Sequence, residues 1–241
     1  MSPASPLSRD IPSPLVHVVA AAVIDAKGRV LIAQRPAGTH LAGGWEFPGG
    51  KLEPGEERLT GLARELREEL GITISTPRPL IRVRHAYPSR DVLLDIWVVK
   101  RYGGEPQGLD GQALRWCTQE ELAVAELLPA DKPIVAALRL PERLTQMCSP
   151  YYVIRDLSSI DNPAASAYAT NDFRFHGMFC TSAEDAGAAV RAGLEFLVMR
   201  GTLTDCDLSR LCESMPVPVF SRGIDLERAW ALGASGINEL P

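Results

Sequence analysis

The segment from Gly50 to Ile72 contains charged residues and glycines whose types and spacing could form a reactive site. A glycine is followed by a glutamate, an Arg-Glu-Leu triplet, two more glutamates and a Gly-Ile pair. The nine positions are Gly50, Glu56, Arg64, Glu65, Leu66, Glu68, Glu69, Gly71 and Ile72. At average residue usage, such a match arises by chance on the order of 10⁻⁹ times per starting position. The spacing therefore indicates a functional site.

The glutamates of this segment are predicted to share one face of a helix. Apolar residues recur with helical spacing over residues 59–70, and Gly71 ends the pattern. At 100° per residue, Glu65, Glu68 and Glu69 fall within one arc beside the apolar stripe. Three carboxylates so close repel one another, and a hard divalent cation relieves that repulsion. We therefore predict a Mg²⁺ site that bridges the helix to a polyphosphate, with Mn²⁺ as the alternative ion.

A solvated surface helix is the other interpretation of a glutamate-rich run. The charge run alone would favour it, but the full spacing favours the metal site. Glu57 and Arg58 lie outside the pattern and are predicted to face solvent.

The pattern resembles the Nudix box, and residues 15–141 resemble the Nudix hydrolase family. The resemblance implies an α+β fold in which helices sandwich a mixed β-sheet. It also implies that Arg64 pairs with an acidic side chain such as Glu56 and steadies the loop. The metal ligands it implies are Gly49, Glu65, Glu68 and Glu69.

The run IAQRPAGTHLAGGWEFPGGKLEPGE is similar to the MutT-type branch, whose members hydrolyse oxidised guanine nucleotides. This resemblance places Arg35 on the base or its sugar and Phe47 near the nucleoside. Tyr87 and Arg90 would lie on a loop that closes over the nucleotide, and His40 is a weaker substrate-binding candidate. Arg35 could equally be a surface arginine that ends a strand.

Asp131 departs from the family pattern, which commonly has an asparagine that reads the guanine edge in the segment LLPADKPI. An amide both donates and accepts, whereas an ionised carboxylate only accepts, so the base preference stays open. Asp131 could accept from purine N–H groups, or be protonated when buried. It could instead cap the helix that follows.

Asp110 is a second departure, because the family carries a glutamate thought to be the general base where GEPQGLDGQ supplies Asp110. The shorter side chain could act through a water molecule. Otherwise Glu65 or Glu68 would be the base. Asp110 could also be only a turn residue before Gly111. The catalytic residues implied are Glu65, Glu68, Asp110 and Arg64.

Periodicity and turn residues divide the chain into a flexible tail (1–14), the Nudix-like domain (15–141), a linker with one strand-like run, YYVIRD (142–174), and a C-terminal domain (175–241). Strands of the first domain are predicted at 16–24, 30–35, 80–85, 92–99 and 114–117, with helices at 119–125 and 131–139. In the last segment, apolar runs alternate with helical patterns, which is typical of βα units on a parallel sheet.

The C-terminal segment resembles the later βα units of thiamine-phosphate synthases and their TenI relatives, which are TIM barrels. About three units remain, so we expect a partial TIM-barrel-like accessory domain that does not carry out that synthesis. Ser221-Arg222-Gly223 keeps one glycine of the family's phosphate loop. Gly223 and Gly236 could bind phosphate or only allow close helix–strand packing.

The composition indicates a globular protein that does not bind duplex nucleic acid or membranes. The chain has 241 residues, 46% of them hydrophobic, and a formal net charge of −5. Its 5 cysteines form no CxxC pair, which favours a reducing cytoplasm. No run reaches the roughly 18 apolar residues of a membrane span. The partner we expect is a nucleotide, with a homodimer as one way to cover an open sheet edge.

These features together predict Mg²⁺-dependent hydrolysis of a nucleoside triphosphate, with 8-oxo-dGTP as the leading substrate and a nucleoside monophosphate and pyrophosphate as products. Such an enzyme would keep damaged bases out of DNA. One alternative is a different nucleotide, such as another dNTP or a dinucleoside polyphosphate. Another is a nucleotide sensor with the C-terminal domain as its output, although binding alone would not require every glutamate.

Overall fold

A computed structural model of the chain describes residues 15–36, 38–39, 41–87, 90–150, 152–155 and 175–240. The predicted tail (1–14), most of the predicted linker and His40 lie outside these residues. In the first part of the chain the strands are β1 (Leu15–Val23), β2 (Val30–Gln34), β3 (Trp45–Glu46), β4 (Gly49–Lys51), β5 (Thr73–Ser75), β6 (Arg78–Ala86), β7 (Asp91–Val99), β8 (Arg101–Gly103) and β9 (Leu114–Cys117). The helices there are α1 (Arg58–Leu70), α2 (Gln119–Ala123), a 3-10 turn (Pro129–Asp131) and α3 (Lys132–Arg139).

The central sheet of this part has the strand order β4-β1-β7-β6. β1 runs parallel to β7 along its whole length, whereas β4 and β6 are antiparallel to their neighbours. Side chains alternate along β1, so that Val19 and Ala21 pack with α1 while Ala20 and Ala22 pack in the core that includes α3. This arrangement confirms the mixed sheet between helices.

Helix α1 has a well-defined end and a weakly capped start. Leu62, Leu66 and Leu70 are fully buried, which confirms the predicted apolar stripe. Gly71 adopts φ 70°, and its N–H donates to the Arg67 carbonyl, which ends the helix where the sequence predicts. The N-cap residue, Glu57, makes no side-chain capping hydrogen bond.

The second part of the chain is a parallel six-stranded sheet with the order β10-β15-β14-β13-β12-β11. Its strands are β10 (Arg143–Leu144), β11 (Tyr152–Arg155), β12 (Phe175–Cys180), β13 (Phe196–Met199), β14 (Val219–Ser221) and β15 (Gly236–Asn238), and its helices are α4 (Ala183–Arg191), α5 (Asp205–Ser214) and α6 (Leu226–Ala231). The predicted parallel βα arrangement is confirmed. The sheet also takes in β10 and β11 from the segment predicted as a linker.

The two faces of this sheet have different cores. α4, α5 and α6 contribute apolar residues to the core on one face. The other face holds an aromatic cluster, in which Phe196 contacts Tyr152 and Phe220 edge-on. Leu144 and Tyr152, from the two end strands, both join this cluster. The sheet therefore curls around its aromatic core.

The two parts of the chain contact each other along β6. α5 and α6 pack against this strand. Arg78 lies 4.4 Å from the centre of the Trp230 ring and 2.9 Å from Glu142, and burial lowers its pKa. In the described part of the chain, no helix is long and apolar enough to cross a membrane.

Candidate active site

A cavity of about 480 Å³ lies between the central sheet, α1 and the 3-10 turn. It brings together most of the residues predicted from the sequence. Those that line it are Arg35, Phe47, Gly49, Glu65, Glu69, Tyr87, Arg90, Asp110 and Asp131. Arg64 and Glu68 are not among its lining residues, and His40 lies outside the described residues.

One end of the cavity is formed by α1 and the glycine turn beside it. The Gly49 N–H donates to Glu69 Oε2 at 3.1 Å. A Cβ atom at Gly50 would lie 2.2 Å from Glu65 Oε2, so a larger residue there would displace this carboxylate. The glycine turn and the helix are thus fitted closely together at the two carboxylates.

The Glu69 carboxyl group is desolvated and surrounded by like charge. Burial raises its pKa to about 7, opposed by the hydrogen bond from Gly49 and reinforced by the charges of Glu65, Glu46 and Asp110. Carboxylates that are buried and repel one another in this way are oxygen ligands that a hard divalent cation stabilises.

Arg64 lies behind this cluster and pairs with several carboxylates. Its Nε and Nη2 atoms donate to Glu56 at 2.9 and 2.8 Å, which confirms the predicted pair. Nη1 donates to Glu65 at 2.9 Å and to Glu68 at 3.2 Å. The Arg64 guanidinium holds the pKa of Glu56 down at about 2. Arg64 therefore fixes the loop before α1 to the helix.

The carboxylates at this end of the cavity suit a divalent metal ion. Within the described ranges, no three Asp, Glu, His or Cys side chains are already grouped as a complete metal cage. Glu68 is 61% exposed and faces Arg64. Glu65 and Glu69, however, both line the cavity. Because Mg²⁺ commonly binds through one or two carboxylates, waters and substrate phosphates, these residues fit a divalent cation.

The loop that carries Asp110 is fastened to the end of α1. The Leu109 N–H and the Gln112 side-chain amide donate to the Glu69 carbonyl at 2.9 and 3.0 Å. Gly111 has φ 75° and closes a turn onto Gly108. Asp110 therefore belongs to a turn and also faces the cavity near Glu69.

Asp131 also lines the cavity and is only 3% exposed. Burial, and then the charge of Glu46, raise its pKa well above the ordinary range, although it accepts a hydrogen bond from the Phe47 backbone. Its side chain makes no capping hydrogen bond to α3. Asp131 thus occupies the N-cap position of α3 without capping it through its side chain. A protonated Asp131 could donate a hydrogen bond into the cavity.

Glu46 is a site residue that the sequence analysis missed. Arg35 donates to it at 2.7 Å, and both residues line the cavity. Pairing of β2 with β3 sets Gln34 opposite Trp45, which brings Arg35 near Glu46. The signal that could have found Glu46 is its charge opposite to that of Arg35, had the pairing of β2 with β3 been recognised. Arg35 is thus a cavity residue rather than an ordinary surface arginine.

The prediction that Arg58 faces solvent is wrong. Its Nη1 atom donates at 2.9 Å to Asp95, a buried carboxylate on β7. Glu57 is exposed, as predicted. The error arose because Asp95 is distant in sequence and nothing in the local pattern marks it as a partner.

Comparisons with known proteins show which sequences and structures this chain resembles. Residues 19–137 match the family model of the NUDIX domain. The chain is 43% identical over 119 residues to CTP pyrophosphohydrolase of Escherichia coli K12, which covers 49% of this chain and 88% of that protein. It is 33% identical over 124 residues to 8-oxo-dGTP diphosphatase of the same organism. That match covers 52% of this chain and 96% of that protein. The solution structure of the E. coli ORF135 protein has 41% identity and a TM-score of 0.47, and the match covers 52% of this chain and 89% of that one.

The helix-borne glutamates beside a glycine turn, set in a mixed sheet between helices, define a hydrolase of the α+β class. The chain belongs to the Nudix family.

Proposed function

We propose that residues 15–141 hydrolyse a nucleoside triphosphate to a nucleoside monophosphate and pyrophosphate, and that 8-oxo-dGTP is the substrate. The observation that carries this proposal is a single cavity with two chemically distinct ends. Glu65, Glu69 and Asp110 form an acidic end suited to a metal-bound polyphosphate, whereas Arg35 and Asp131 form an end suited to a nucleoside. Removal of oxidised guanine nucleotides would keep damaged bases out of DNA.

The acidic end is where we place a divalent cation, Mg²⁺ or alternatively Mn²⁺. Gly49, Glu65 and Glu69 would hold it from the cavity side, and Glu68 would join from the exposed side of α1. When bound, such an ion neutralises charge on the phosphoryl group and lowers the pKa of an attacking water. Arg64 keeps the helix and its preceding loop together and does not itself reach the cavity.

Asp110 is the residue that we assign as general base. It faces the cavity beside Glu69, where a carboxylate can take the proton of a water molecule that attacks a phosphorus atom. Glu65 is the alternative, since it lines the same cavity. Glu68 is less suited to this role because it is largely exposed and pairs with Arg64.

The nucleoside end is assigned to residues from three separate segments. Arg35 is held by Glu46, which orients its guanidinium for the base or sugar. Phe47, Tyr87 and Arg90 also line the cavity. Asp131 would read the base edge, as a donor when protonated and as an acceptor when ionised.

A second candidate is a pyrimidine substrate such as CTP. Asp131 stands where an asparagine is common among oxidised-guanine hydrolases, and one relative with 43% identity is named for CTP. A single buried carboxyl group can pair with the amino edge of cytosine, so this assignment rests on the same residue.

The test is a nucleotide panel in the presence of Mg²⁺, with kcat/KM compared for 8-oxo-dGTP, dGTP, CTP and a dinucleoside polyphosphate. A preference of about a hundredfold for 8-oxo-dGTP over dGTP, near 2.7 kcal/mol, supports the proposal. A larger kcat/KM for CTP favours the second candidate. Glu69→Gln should abolish turnover. Glu57→Gln should not, because Glu57 is an exposed residue at the N-cap of the same helix. No hydrolysis of any member would favour a nucleotide sensor.

We further propose that the curled parallel sheet is a partial TIM-barrel-like accessory domain and that the protein acts in the cytoplasm. All 5 cysteines are free, as expected in a reducing compartment.

A further inference from the structure

Asp95 is a buried carboxylate whose partners come from two strands and one helix. It lies on β7 and is 2% exposed. Its Oδ2 atom lies 2.9 Å from Arg58, 3.4 Å from Arg82 and 3.7 Å from His17. A buried carboxylate depends on such partners, because losing one leaves charge uncompensated.

Arg82 extends this cluster to the C-terminal domain. Its Nε faces Asp95, while its Nη1 donates at 3.1 Å to Glu213 on α5. The Arg82 side chain also lies close to the turn at Gly233, where a Cβ atom would be 3.5 Å from its Cδ. The guanidinium is therefore held by Asp95 on one side and by the C-terminal domain on the other.

Arg58 connects the same cluster to the Nudix helix. It is the first residue of α1, whose first turn has no acidic residue and no side-chain cap. A cation at a helix N-terminus is unfavourable unless it is paired. The hydrogen bond to Asp95 provides that pairing and anchors the start of α1 to the sheet, with the Trp97 ring 5.9 Å from the guanidinium.

The cluster is electrically balanced only when the C-terminal domain takes part. Arg58 and Arg82 carry two positive charges, and Asp95 and Glu213 carry two negative charges. Without Glu213, one positive charge would be in excess beside the positive end of the α1 dipole. Glu213 thus contributes to the electrostatic environment at the start of the helix.

We propose that Glu213 is a positioning residue for the Nudix helix. Acting through Arg82, Asp95 and Arg58, it holds the start of α1 so that the glutamates farther along face the glycine turn. This inference rests on the proposed function, since it takes α1 as the helix that binds the metal. It gives the C-terminal domain a part in the same reaction.

The test compares Glu213→Gln with Asp205→Asn in the full chain. Asp205 is a matched control, because it lies on the same helix but pairs with Arg228 inside the C-terminal domain, at 2.9 Å. Mn²⁺ binding without nucleotide, followed by electron paramagnetic resonance, gives a readout that does not depend on turnover. We expect Glu213→Gln to raise the Mn²⁺ Kd about threefold, since Glu213 is half exposed, and Asp205→Asn to leave it unchanged.

Two further variants and a second measurement make the test sharper. Glu213→Lys should raise the Mn²⁺ Kd about tenfold, because it places a second cation beside Arg82. Arg82→Lys should resemble Glu213→Gln, since an ammonium group cannot bridge Asp95 and Glu213 in the same way. Amide exchange in the first turns of α1 should become faster in all three variants.

An unchanged Mn²⁺ Kd and unchanged α1 exchange in the Glu213 variants would overturn the inference, even if their melting temperatures fell. Failure of the wild-type protein to bind Mn²⁺ and hydrolyse any nucleotide would instead overturn the proposed function. In that case the exchange rates alone decide whether Glu213 positions α1.

Discussion

The Arg64 guanidinium and the Glu56 carboxylate form a two-pronged pair, with hydrogen bonds of 2.9 and 2.8 Å across eight residues of chain. The pair closes the loop between the glycine turn and α1. Arg64 also accounts for the low pKa of Glu56, about 2 instead of 4.5. A bidentate pair of this kind restrains both partners more than an ordinary surface ion pair does.

The Glu56 pair predicts a pH-dependent contribution to stability. Because the folded-state pKa is lower than the unfolded one, the contribution is present above about 4.5 and is lost as the pH falls through about 2. Glu56→Gln should therefore lower the melting temperature at pH 7, and its difference from wild type should shrink below pH 4.5. Glu57→Gln is the control. Its melting temperature should equal that of wild type at every pH, because Glu57 is exposed and makes no side-chain capping hydrogen bond. A difference that stayed constant down to pH 3 would contradict the prediction.

Gly50→Ala should inactivate the enzyme without unfolding it. The added methyl would lie 2.2 Å from Glu65 Oε2, so the carboxylate has to move away from the cavity. We expect kcat to fall by about a hundredfold, the size typical of displaced catalytic groups. The measurement is steady-state hydrolysis together with circular dichroism.

Gly103→Ala and Gly201→Ala are controls for this glycine substitution. At both positions the space around a Cβ atom is open and no unusual φ is needed. Both variants should keep wild-type kcat. Equal losses in all three would mean that the effect is general and not specific to Glu65.

The sequence predicted the elements whose apolar period is strong and the site residues that sit within one local motif. α1 and the long strands follow from the spacing of apolar residues along the chain, whereas the Arg64–Glu56 pair follows from the resemblance to the Nudix box. It missed the very short strands of the first domain, such as β3 and β4, because they are too short to show a period. It also missed Glu46 and Asp95, whose roles come from partners brought together by tertiary folding.

Asp131→Asn should change which base is preferred. Burial raises the pKa of Asp131, so its protonation state limits whether it can donate, whereas an amide donates and accepts at any pH. We expect the ratio of kcat/KM for 8-oxo-dGTP to that for CTP to rise by about tenfold, the value of one buried hydrogen bond. Asp91→Asn, which alters a carboxylate paired with Arg84, should leave the ratio unchanged. An unchanged ratio in Asp131→Asn would show that another residue reads the base.

Metal binding should stabilise the folded protein through Glu65 and Glu69. An ion that binds only the native state adds about 1.4 kcal/mol at ten times its Kd, so Mg²⁺ should raise the melting temperature and EDTA should reverse the rise. Glu65→Gln and Glu69→Gln should abolish this shift, because each removes a cavity-lining carboxylate. Glu68→Gln should reduce it less, since its side chain is mostly exposed and paired with Arg64. Calorimetry with and without Mg²⁺ measures the shift in melting temperature for each variant. A Glu68 variant that lost the whole shift would place the ion on the exposed side of α1.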